Sequence, residues 1–276
     1  MKILRKPEAP DSFYIGYLPK APAEYRNFVR LIVFAILVVM YFTIIIVVTN
    51  QQKFSTGIFE RNKLTELEGV LMLQPFPAIK TLYGKDLYGN PVVKTIPLVN
   101  YGKFGAEPVI NSVVANNTSD LNKLWIKVRG KLIYNKGITI LELSEKDKSV
   151  LEVKTASKNQ LDGIATSKIK DHGGSTLYGQ IIDPKCYFGV MKPGEGKPHS
   201  DCAIRCIAGG IQPMLMIRNE KGQETFFILR DTSGMPVNSR VLSYVGMPVE
   251  VSGKITKVDD WLILKTDPSS GIKIIR

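Results

Sequence analysis

The sequence predicts a mainly β protein: one N-terminal transmembrane helix followed by two tandem small β-barrels. Three observations carry that expectation. An uncharged apolar run near the N-terminus is long enough to cross a bilayer. Beyond it, short alternating segments are separated by Gly, Pro and Asn, with few stretches that keep a helical period. Two of those segments also repeat one another without a gap. With 44% hydrophobic and 22% charged residues in 276, the chain is folded material rather than a disordered one.

The apolar run, LIVFAILVVMYFTIIIVV from Leu31 to Val48, is eighteen residues without a charge, Gly or Pro. At 1.5 Å per helical residue it covers roughly 27 Å, close to the ~30 Å hydrocarbon core of a bilayer. It has no polar face, which a helix at the surface of a soluble core would keep. It is too long for the apolar part of a signal peptide, and TNQQKF after it offers no small-residue cleavage pattern. Residues 31–49 are therefore expected to be an uncleaved anchor in contact with the lipid bilayer.

Orientation follows from the flanking charge. Lys2, Arg5, Lys6, Lys20, Arg26 and Arg30 precede the run, and only Lys53, Glu60 and Arg61 follow closely. By the positive-inside rule, residues 1–30 form a cytoplasmic tail and the remainder is exported. In a Gram-negative bacterium this is a single-pass protein of the inner membrane with periplasmic C-terminal domains. The formal charge of +12 resides mostly in the exported part, which suits anionic headgroups, an acidic partner, or solubility alone.

Two halves of the exported part overlay. Trp125–Leu143 aligns with Pro248–Thr266, matching at Val128/Val251, Gly130/Gly253, Lys131/Lys254, Ile140/Ile263 and Leu141/Leu264. Each copy reads as strand, turn and returning strand, with Asn135-Lys136-Gly137 and Asp259-Asp260 as the turns. The beginnings correspond too: Thr65–Leu73 and Ser175–Asp183 both place a Gly early in a strand, where small barrels bend. Such a strand, two more strands, then V-x-V-x-G-K and a hairpin resembles the five-stranded oligonucleotide/oligosaccharide-binding barrel, the OB-fold. The modules are expected at 59–143 and 176–276, joined by a Lys/Ser/Asp-rich linker at 144–175. A β-sandwich with one sheet from each half is the alternative.

All three cysteines and one of the two histidines lie in DPKCYFGVMKPGEGKPHSDCAIRCIAGG, Asp183 to Gly210, directly after the first strand of module two. CAIRCIA suits about two helical turns, capped at His199-Ser200-Asp201 and ended by Gly209-Gly210. In that helix Cys202 and Cys206 share a face and His199 lies on the same side, with Cys186 at the strand end as a fourth donor. Several chemistries fit. Cys186 bridged to Cys202 or Cys206 makes a disulfide suited to export, although three cysteines leave one over. Cys186, His199, Cys202 and Cys206 form a ligand set for Zn or Cu, with Met191, Met214 and Met216 as further thioether donors to copper. Thiol exchange is the third, with Lys185, Lys192, Lys197 and Arg205 as nearby cations.

The order Asp183, Cys186, His199, Cys202, Ala203, Cys206, Gly209, Gly210, then Val245-Gly246 and Val249 to Gly253, resembles a class of exported bacterial OB-like domains. The likeness covers Leu177–Ile275 and implies fold and export, with no settled activity.

Other chemistry finds little support. There is no G-x-S-x-G, no H-E-x-x-H, no phosphate loop, and no C-x-x-C-H for haem. His172, beside Asp171, reads as a solvated linker residue, and Asp259 and Asp260 as turn carboxylates. Tyr187, Phe188, Phe226 and Phe227 are aromatics of the kind that stack on bases, but export removes nucleic acid as a partner. The expected function is thus a non-catalytic accessory or scaffold protein, its OB-like modules docking subunits of a larger redox or transport membrane complex. The alternative is a metal-binding or thiol redox protein using the cysteine cluster. A passive lipid- or glycan-binding module is a further possibility.

Overall fold

The computed structural model describes residues 23–50, 57–115, 124–161, 164, 167–189 and 191–275. The chain divides into two compact units, Met1–Lys53 and Phe54–Arg276. The expected cytoplasmic tail lies mostly outside the described residues.

Helix α1 spans Ala23–Asn50, starting eight residues before the apolar run. Its Tyr25–Asn50 stretch is apolar enough to cross a membrane, with a mean hydropathy of 3.2 over eighteen residues and none of them covered by protein. The two threonine hydroxyls inside it are satisfied internally, Thr43 Oγ1 donating to Val39 O at 2.8 Å and Thr49 Oγ1 to Ile45 O at 2.7 Å. A hydrocarbon environment demands that internal satisfaction. The helix fits a single-pass anchor.

The second unit begins with β1 (Ile58–Phe59), β2 (Thr65–Met72), β3 (Ala78–Lys85), β4 (Pro91–Asn100), α2 (Glu107–Ala115), β5 (Leu124–Asn135) and β6 (Ile138–Leu143). Strand β2 pairs antiparallel with β3 and β3 with β4. Then β4 runs parallel to β6, β6 antiparallel to β5, and β5 antiparallel to β2, closing a five-stranded barrel. After β7 (Val150–Thr155) and α3 (Lys158–Leu161) come β8 (Ile169–Ile182), α4 (Pro184–Phe188), α5 (Ser200–Ala208), β9 (Met214–Arg218), β10 (Glu224–Arg230), β11 (Pro248–Val258), β12 (Trp261–Lys265) and β13 (Ile272–Ile274). The circuit β8-β9-β10-β12-β11 repeats the first barrel's order and directions, including the parallel β10/β12 pair. Two OB-like barrels form, rather than a sandwich.

The duplicated glycines explain the closure. A Cβ on Gly69 would strike the carbonyl oxygen of Lys80, and one on Gly179 that of Met216. In the hairpin strands, Gly130 faces the Glu142 carbonyl and Gly253 that of Lys265 in the same way. At each barrel's corners one strand presses on its neighbour's backbone, and only the residue without a side chain fits.

The expected linker at 144–175 is corrected. Val150–Thr155 is a strand, β7, paired with Leu124–Val128, and β8 already begins at Ile169. A bulge at Leu151 lets both Val150 and Val153 reach the first barrel's core, which breaks the period of two that would mark the strand in the sequence. His172 consequently sits exposed in β8, next to Asp171, which pairs with Lys254 at 2.6 Å.

Each barrel encloses its own core, around Ile79, Ile126 and Leu141 in the first and Leu215, Leu229 and Val251 in the second. A third core lies between them. It joins Met72, Phe76, Ala78, Ile133 and Ile140 of the first barrel to Phe188, Cys206, Phe226, Trp261 and Ile263 of the second. Polar bonds cross the same seam: Trp261 Nε1 donates to Thr95 O at 2.8 Å, and Lys80 pairs with Asp259 at 3.1 Å. The Asp183–Gly210 insertion supplies much of this seam, which gives a physical reason why only one barrel carries it.

Candidate thiol and metal centre

The insertion is built on two short helices joined by a Pro/Gly loop. Asp183 ends β8 and caps α4, its Oδ1 accepting from Lys185 N at 2.9 Å, with Pro184 at the first helical position. Cys186 therefore sits within a helical turn rather than at the strand end as expected. Ser200–Ala208 is the predicted helix, ended at Gly209 and at Gly210, whose φ of 103° is a conformation glycine tolerates.

On α5, Cys202 and Cys206 stand one turn apart, and α4 brings Cys186 against them. The three Sγ atoms lie within 4.8 Å of one another, and all three cysteines are unbridged. A second group, also within 4.8 Å, consists of Asp183, Cys186 and His199. The four expected donors thus fall into two groups that share Cys186. His199 precedes α5 in a 3-10 turn, Lys197–His199, and joins Asp183 and Cys186 instead of the two helix cysteines. Asp183 was missed as a donor; it is the N-cap of α4, three residues before Cys186.

The centre is dry. Asp183 is 0% exposed and His199 3%, yet Asp183 Oδ2 and His199 Nε2 find no hydrogen-bond partner. Buried polar atoms seldom stay unpaired without a functional reason. A hydrogen bond with Cys206, then burial and the Asp183 carboxylate, push the Cys186 thiol far up toward its protonated form. Burial pulls His199 below the ordinary histidine range, against the opposing pull of Asp183, and keeps its ring neutral and able to ligate.

One contact to sulfur comes from the first barrel. Lys103 Nζ, on the β4–α2 loop, donates to Cys202 Sγ at 3.3 Å, and this bond raises the Lys103 pKa. The same loop is tied to the insertion where Gly105 N donates to Gly209 O at 2.9 Å. Lys185, expected beside the thiols, points elsewhere: its Nζ pairs with Glu142 at 2.5 Å and donates to Asn100 O at 2.8 Å and Gly102 O at 2.6 Å.

The other candidates resolve as packing. Met214 and Met216 fill the seam core, whereas Met191 is exposed. Tyr187, Phe188 and Phe226 form an edge-to-face cluster there, and Phe227 faces the second barrel's own core. Adjacent Phe226 and Phe227 are both buried because β10 has a core on each side, so neither offers a stacking surface. Asp259, at φ 54° in the β11–β12 turn, accepts from Lys168 N at 2.9 Å and is structural.

Three thiols with an imidazole and a carboxylate form a soft-to-borderline donor set that matches Zn²⁺ or copper. The same proximity allows Cys186 to bridge to one helix cysteine. No family model and no curated protein matches the chain.

Proposed function

We propose that this chain is a membrane-anchored, extracytoplasmic protein that binds a thiophilic metal ion through Cys186, Cys202 and Cys206. The carrying observation is the convergence of three sulfurs within 4.8 Å beside buried, unpartnered donor atoms on His199 and Asp183. A disulfide staple explains the sulfurs but leaves His199 Nε2 and Asp183 Oδ2 without a partner. The basic flank before α1 supports export of the two barrels. The test is a Co²⁺ titration of the reduced full chain. Thiolate-to-cobalt charge-transfer absorption is expected, and it should fall sharply in Cys202→Ser; its absence in the wild type counts against the reading.

A second reading, an accessory protein docking a larger membrane complex, is favoured by one surface feature. Strand β3 pairs with β2 only over Ala78–Lys80, so Thr81–Lys85 and Pro91–Lys94 continue as a two-stranded ribbon. Its turn is held by Asp86 Oδ1, which accepts from Tyr88 N at 2.9 Å and Asn90 N at 2.8 Å, and it presents Leu87 and Tyr88 almost wholly to solvent. Cross-linking in membranes should recover a stoichiometric partner through Leu87 or Tyr88. Recovery of the chain alone opposes this second reading.

A further inference from the structure

We infer that the centre has two adjacent cation positions sharing the Cys186 thiolate: one among Cys186, Cys202 and Cys206, the other among Asp183, Cys186 and His199. This rests on the metal-binding reading and specifies its stoichiometry.

A single tetrahedral ion held by three cysteines and one histidine requires His199 to converge with all three sulfurs. It does not. The two donor groups share only Cys186, and each is mutually within 4.8 Å. With metal–sulfur bonds near 2.3 Å and metal–nitrogen bonds of about 2.0–2.1 Å, donors around one ion stand roughly 3.5 Å apart. Each group closes to that spacing by a movement of about an ångström.

Polarity and charge agree. The mixed group contains two of the ten buried side-chain atoms without a hydrogen-bond partner among the described residues, Asp183 Oδ2 and His199 Nε2, both on residues at least 97% buried. A cation between them would give both a partner. Loading releases the three thiol protons to solvent. The resulting three thiolates and one carboxylate match the charge of two divalent ions, with the Lys103 ammonium at Cys202 as an additional positive group. The rings and aliphatic chains around Phe188, Cys206 and Met214 exclude water and favour neutral thiophilic coordination over hydrated ions.

The experiment is an anaerobic titration of the full chain, reduced and stripped of metal in detergent, with Co²⁺ and then Zn²⁺. Equivalents are counted from cobalt absorption and from native mass spectrometry. Two ions are expected in the wild type, and one in His199→Gln. Asp183→Asn keeps an Oδ1 acceptor for the α4 cap and is likewise expected to bind one, which guards against misfolding of the histidine variant. One ion in the wild type, retained in both variants, overturns the second position while leaving the metal reading intact. One ion that is lost in His199→Gln indicates a single mixed centre and overturns it too, as do two ions retained in both variants. No ion in the wild type overturns the metal reading itself.

Discussion

Lys103 and Cys202 meet across the seam between two barrels, Nζ to Sγ at 3.3 Å, although 99 residues separate them in sequence. The thiol centre is therefore completed by the barrel that lacks the insertion. In the proposed metal centre the Lys103 ammonium would offset negative charge on the ligating sulfurs. Lys103→Met is expected to weaken Co²⁺ affinity three- to tenfold, about 0.7–1.4 kcal/mol, measured by competition with a chelator. An unchanged affinity removes Lys103 from the site.

Lys185 and Glu142 form a buried ion pair over the same seam, with side chains 8% and 4% exposed. Lys185→Met strands the Glu142 carboxylate and frees the carbonyls of Asn100 and Gly102. A loss of about 3–5 kcal/mol is expected in denaturant unfolding. The double variant with Glu142→Gln should recover part of it, and failure to do so assigns the loss to packing alone.

The barrels were legible because their signals are local. Gly69, Gly130, Gly179 and Gly253 stand at repeated places in alternating strands, and α1 is read from composition. Strand β7 was hidden because only Val150 and Val153 mark it among charged residues. The centre was half legible: i,i+4 spacing brings Cys202 and Cys206 together, but the turn that directs His199 toward Asp183 has no periodic signature. Lys103 was invisible, since nothing near it in sequence reveals which loop faces the insertion.

The glycine pairs yield a symmetrical test. Gly69→Ala and Gly179→Ala each drive a methyl group into a neighbouring strand's carbonyl, of Lys80 or Met216. Each should destabilise the unit by about 1–3 kcal/mol in denaturant titrations. A neutral effect at either position means that its barrel closes differently.

Glu107, on α2, accepts from Gln212 Nε2 at 2.6 Å across the seam, and burial raises its pKa above the ordinary 4.5. A raised folded value means that its contribution to stability is present below about pH 4.5 and is lost as pH rises through the folded pKa. The stability of wild type relative to Glu107→Gln should therefore decline over that interval and then level off. A difference that stays constant with pH contradicts the raised value.

The central claim, that Cys186, Cys202 and Cys206 hold metal rather than a staple, is tested most directly by native mass spectrometry of the full chain purified without reductant or chelator. Bound thiophilic metal is expected, with three alkylatable thiols appearing once the metal is removed under denaturing conditions. A metal-free chain two hydrogens lighter than its sequence, with a single reactive thiol, contradicts the account.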